Sequence, residues 1–158
     1  MSYDLKLERI LDAPAELVFD TIVDPAFADE IYGEHLEGFG WTVLRFDIDF
    51  RVGGTWTLES GPRDGSGPND VATSVFTAID RPRLISYDAT MLVSQWGRSV
   101  TFTETITIED QDGKTLVTLV MSGLEREADR DSFMEGVPAY LDGVQRAAER
   151  RAREGSKA

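Results

Sequence analysis

The chain has no cysteine among its 158 residues, which excludes disulfides, thiolate nucleophiles and zinc–sulfur centres. Histidine occurs once, as His35, so a multi-histidine metal site is out of reach. No apolar run approaches the roughly 20 residues that cross a bilayer, and the opening MSYDLKLERI lacks the apolar stretch of a secretory signal. Positive charge is scarce too. Sixteen Lys and Arg against 29 Asp and Glu leave a net charge of −13, a surface that repels phosphate backbones and anionic lipid. The expectation is a cytoplasmic protein with neither nucleic acid nor membrane as a partner. Nucleophile elbows, phosphate-cradling glycine loops and dinucleotide fingerprints are missing as well, and DGSGPND lacks the ligand spacing of a calcium loop. No cofactor or metal is expected.

What is present is ordinary for a folded protein: 41% hydrophobic and 28% charged residues, enough for one core. A single domain over residues 1–158 is expected, with 150–158 as a frayed basic tail. YDLKLERIL alternates with period two and reads as a strand. DAPAELVFDTIVDP reads as a helix capped by Asp12, with Pro14 in its first turn, and AFADEIYGEHL as a second short helix. Strands are expected at 41–52, 55–60, 71–80, 83–92, 98–109 and 114–122. A long helix over 129–153 carries the stripe Phe133, Val137, Leu141, Val144 and Ala148, with a kink or a late start at Pro138. The fold class is therefore α+β: an antiparallel sheet of six or seven strands covered by the last helix.

Loop length decides which residues share a face of the sheet. In DIDFRVGGTW, a two-residue Gly53-Gly54 loop would turn Trp56 to solvent. One extra residue pairs Trp56 with Val52 and Leu58 with Phe50, gathering Ile48, Phe50, Val52, Trp56 and Leu58 on the inner side. Burying such side chains gains roughly 1.5–3 kcal/mol each, so the bulged register is expected. In VTFTETITIEDQDGKTLVTLVM an even loop pairs Ile106 with Val117, Phe102 with Met121 and Glu104 with Leu119. Threonines 101, 103, 105 and 107 then face outward. Glu104 is left on the inner face, where a carboxylate is costly unless it is paired or keeps its proton. It is the candidate acid–base group, with Arg98, Arg126 or a tyrosine hydroxyl as structural partners.

The inner face thus gathers Phe50, Trp56, Leu58, Tyr87, Met91, Phe102 and Glu104 beneath Phe133, Val137, Tyr140 and Leu141 of the helix. Aromatics with polar tips and one acid suit a pocket for a small hydrophobic molecule, and they equally suit a filled core. His35, beside Glu34 and Glu37, reads as an exposed helix-end residue. Asp47 and Asp49 with Arg45 and Arg51 read as a solvated charge network.

ILDAPAELVFDTIVDP, DFRVGGTW, AIDRPRLISYDA, the strand TFTETITI and DGKTLVTLVMSG resemble the heat-shock-protein-90 ATPase activator homologue-like family of the SRPBCC (START/birch-pollen-allergen-like) superfamily. The resemblance runs from about residue 5 to residue 150. It implies a helix-grip fold, a curved sheet wrapped around the terminal helix with an internal cavity. It departs where the family often has tryptophan, at FADEIYGEHL and at Tyr140. Three functions follow as expectations. The first is binding of a small hydrophobic or aromatic molecule without reaction. The second is a polyketide cyclase- or hydratase-like enzyme using Glu104. The third is a homodimeric interaction module related to chaperone ATPase activators.

Overall fold

The computed structural model describes residues 2–155. Strand β1 (Tyr3–Leu11) leads into helices α1 (Ala15–Val23) and α2 (Ala28–Glu37). Six strands follow: β2 (Trp41–Ile48), β3 (Thr55–Pro62), β4 (Asp70–Asp80), β5 (Leu84–Val93), β6 (Arg98–Gln111) and β7 (Lys114–Leu124). Helix α3 (Glu127–Gly155) closes the described chain. The sheet order is β1-β7-β6-β5-β4-β3-β2, antiparallel throughout. The two helices therefore carry the chain from one sheet edge to the other. A meander then brings it back to lie beside β1. This is the expected helix-grip fold.

Each end of α3 has its own way of holding on. Near the C-terminal end, Gly143, Val144, Ala147 and Ala148 are buried, and small side chains let α2 and α3 touch. A Cβ on Gly143 would lie 1.9 Å from the Ile31 carbonyl oxygen, so only glycine fits that crossing. Arg150 grips Glu30 at 2.6 and 2.8 Å, and Arg151 donates to the Thr21 hydroxyl at 2.7 Å while lying over the Phe27 ring. In place of the expected fraying from residue 150, the helix packs against the core as far as Ala152 and continues, exposed, to Gly155; residues 156–158 fall outside the described part. A late start at Pro138 is also wrong. The helix begins at Glu127 and Pro138 lies inside it. Asp12 does not cap α1: Pro14 occupies the cap position, and its carbonyl accepts from Leu17 and Val18.

The hairpin registers keep Trp56, Leu58 and Glu104 on their expected faces but not with their expected partners. Trp56 pairs with Ile48 and Leu58 with Phe46, because β2 stops at Ile48 and residues 49–54 form a longer loop. Gly54 enables that loop, since a Cβ there would fall 2.0 Å from the Asp49 carbonyl oxygen. Backbone bonds of 2.8 Å from Asp49 N–H to Thr55 and 2.8 Å from Gly53 N–H to Phe76 hold it against the sheet. Moving the pairing by four residues preserves parity, so Trp56 is inward at 5% exposure. Val52, expected inside, is 58% exposed. At β6–β7 the turn is the two residues Asp112 and Gly113, both with positive φ, and Gln111 pairs with Lys114. Asp-Gly readily adopts this hairpin turn. The pairing therefore slides by two, with Glu104 opposite Met121 and Ile106 opposite Leu119. Glu104 stays on the inner face.

Candidate functional site

A cavity of about 180 Å³ lies between the inner face of the sheet and the first half of α3. Alternation along the strands brings Trp56 and Leu58 of β3, Tyr87 and Met91 of β5, and Phe102 and Glu104 of β6 to its wall. The three-and-four spacing of α3 adds Phe133, Val137 and Tyr140 as its roof. Two expected residues are elsewhere. Phe50 packs edge-on against Phe19 and Phe76, with ring centroids 5.6 and 5.2 Å apart. It leaves the wall because the loop after Ile48 carries it toward α1. Leu141 is sealed in the core one turn beyond the cavity.

Several wall residues were not anticipated. Tyr32 of α2 stacks on Tyr140 at 5.5 Å, a contact no strand periodicity could reveal. Met121 follows from its expected pairing with inward Phe102, since a slide by two keeps it on the same face. Ala72, Ser74 and Ala89 line the floor, and their small side chains leave the space open. A second cavity of about 250 Å³ shares Tyr32, Leu58, Met91, Phe133, Val137 and Tyr140 with the first. It extends toward His35, Ser60 and Asp70.

Trp56 is the centre of an aromatic cluster. It stacks on Phe76 at 5.8 Å and meets Phe46 and Tyr87 edge-on at 5.5 and 5.4 Å. Its Nε1–H is buried and has no hydrogen-bond partner among the described residues. The Tyr140 hydroxyl, beside that of Tyr32, is likewise buried and lacks a hydrogen bond of ordinary geometry. Glu104 is 9% exposed and accepts a bond from the Tyr87 hydroxyl on Oε2. Burial pushes its carboxyl up to about 7, and the Tyr87 bond pulls it back in part. Burial likewise raises Tyr32, Tyr87 and Tyr140, so all three keep their protons through the neutral range. Arg98, expected as a partner of Glu104, instead grips Asp129 in the first turn of α3 at 2.6 and 3.0 Å. Trp96 lies against that guanidinium and meets Phe133 of the cavity roof edge-on.

The other polar candidates lie outside. His35 is exposed in the last turn of α2 and meets Phe39 edge-on at 5.2 Å. Arg45 and Arg51 pair with Asp47 and Asp49 at 2.5 and 2.8 Å on the solvent side. Among the described residues, no three acidic or histidine side chains converge as a metal site would require. No described helix is long and apolar enough to cross a membrane.

Comparison with known proteins agrees with this layout. Residues 12–149 match the family model described as activator of Hsp90 ATPase homolog 1-like protein. No curated protein sequence matches. An uncharacterised protein from Rhizobium leguminosarum is similar at 26% identity and a TM-score of 0.76, covering 95% of this chain and 96% of the other. Protein Ms6760 from Mycobacterium smegmatis is similar at 20% identity and 0.72, over 91% and 89%. The Aha1 dimer from Colwellia psychrerythraea is similar at 12% identity and 0.66, over 93% and 96%. The last two likenesses concern the fold alone.

Proposed function

Because the chain belongs to the activator of Hsp90 ATPase homolog 1-like family, whose model spans residues 12–149, we propose that its working part is the space between sheet and α3. The reading is that it binds a small, mostly apolar aromatic molecule there. One observation carries this: the Trp56 indole N–H lacks a hydrogen-bond partner on the wall of a cavity that already exists. Buried donors are almost always satisfied, and each orphan costs about 1–3 kcal/mol. A ligand with an acceptor oxygen would recover that cost. Size limits the class. A dry cavity of about 150 Å³ holds benzene, so 180 Å³ suits one substituted ring, and a longer tail could enter the second cavity.

Native mass spectrometry of freshly purified protein, followed by titration with monocyclic aromatics, tests the reading. Ala89→Leu would fill the floor and is expected to abolish binding while the protein stays folded by circular dichroism. Unaltered affinity in that variant would place the ligand elsewhere and end the proposal.

Glu104 favours a second reading. A carboxyl balanced near neutrality can give or take a proton, as a cyclase- or hydratase-like reaction requires. In that case Glu104→Gln abolishes turnover of a bound substrate and leaves its affinity in place. Homodimerisation, the state named for the Colwellia protein, is a separate proposal that light scattering decides; a monomer at every concentration refutes it.

A further inference from the structure

We propose that the cavity selects molecules carrying a basic nitrogen, with the ammonium held between Glu104 and the faces of the surrounding rings. This rests on the ligand-binding reading above and adds the charge of the ligand. Among the described residues, Glu104 is the only charged side chain on the cavity wall, and no Lys, Arg or His joins it there. Its Oε2 takes the Tyr87 hydroxyl, whereas no hydrogen bond reaches Oε1 among the described residues. The remaining polar groups on the described wall are hydroxyls, an indole N–H and two thioethers, none of which can neutralise a carboxylate.

The rings supply the second half of the site. Tyr32, Trp56, Tyr87, Phe102, Phe133 and Tyr140 line the same space. Aromatic faces carry negative potential and attract cations, most strongly where water is excluded. A carboxylate ligand would meet Glu104 and these faces with no counter-charge. A neutral ligand would leave Glu104 uncompensated whenever it ionises. A protonated amine satisfies both, and the net charge of −13 also favours the approach of a cation. The orphaned Trp56 N–H then donates to a lone pair on another part of the same molecule.

Ligand charge is thereby linked to pH. The titratable groups facing Glu104 are Tyr87 from β5, Tyr32 from α2 and Tyr140 from α3, all held protonated; Met121 is its partner on β7. His35 and Asp70 belong to the second cavity. Glu104 itself, pushed up to about 7 by burial, is mostly neutral at pH 6 and mostly ionised at pH 8. An ammonium with a pKa of about 10 stays charged at both. Its affinity should therefore fall roughly ten-fold between pH 8 and pH 6, following the ionised fraction of Glu104.

The test is calorimetric titration of the full chain with tyramine, its alcohol analogue 2-(4-hydroxyphenyl)ethanol and 4-hydroxyphenylacetate, three molecules of one phenolic skeleton and different charge. At pH 8 the amine should bind at least about ten-fold tighter than the alcohol, with the acid weakest. Glu104→Gln should leave the alcohol unchanged and remove both the preference for the amine and its pH dependence. Asp49→Asn, at a residue paired with Arg51 on the solvent side, should alter neither. An alcohol as tight as the amine at pH 8, or an amine preference that survives Glu104→Gln, overturns the inference and leaves the pocket standing. Failure of all three to bind overturns the pocket reading and this one with it.

Discussion

Replacing Glu104 by glutamine should make the protein more stable above neutral pH, and the gain can be worked out from its surroundings. Burial raises the carboxyl from an ordinary 4.5 to about 7. At about 1.36 kcal/mol for each pH unit, holding the ionised form in the folded state costs about 3 kcal/mol. Below pH 4.5 the folded and unfolded chains both keep this proton and the cost is absent. Between 4.5 and 7 the unfolded chain has lost the proton while the folded chain retains it, so stability falls as pH rises. Above 7 the full cost applies. Glutamine keeps a carbonyl to accept the Tyr87 hydroxyl and carries no charge, so the variant lacks this slope. Urea denaturation of both proteins at pH 4.5, 6 and 8 measures it. The two should match at pH 4.5 and separate by about 3 kcal/mol in favour of Glu104→Gln at pH 8. Equal midpoints at pH 8, or a gap that does not change with pH, would refute the assignment of Glu104 to a water-poor cavity.

Two further perturbations probe the frame around that cavity. Gly143→Ala would put a methyl group 1.9 Å from the Ile31 carbonyl oxygen, and α2 or α3 must move. Scanning calorimetry should show a loss at the upper end of about 1–3 kcal/mol, and an unchanged melting temperature would mean that the helices do not cross there. Phe50→Ala removes a ring lodged against Phe19 and Phe76 and should cost about 2–4 kcal/mol, whereas Val52→Ser in the exposed loop should stay within about 0.5 kcal/mol. Equal costs at the two positions would restore the register in which Val52 opposes Trp56.

The physical reason that some of this was readable from sequence, and some not, lies in what periodicity encodes. Alternation along a strand specifies parity, and any even displacement of the partner strand preserves it. Trp56 and Glu104 thus face inward although their partners lie four and two residues from the expected ones. Phe50 was misplaced for the converse reason: it lies beyond the end of β2, where parity has no meaning and the loop path decides. Tyr32 and Gly143 depend on how α2 crosses α3, a long-range geometry without a local signature. Yet the position of the cavity has a trace in α3 itself. Gly143, Ala147 and Ala148 are small and draw the C-terminal half of the helix close, whereas Phe133 and Tyr140 are bulky and prop the N-terminal half over the sheet. Beneath those props stand Ala72, Ser74 and Ala89, too short to fill the gap they face. Large residues on the roof over small ones on the floor leave a void in which Glu104 can meet a ligand, and a solid core would need that order of sizes reversed on one side.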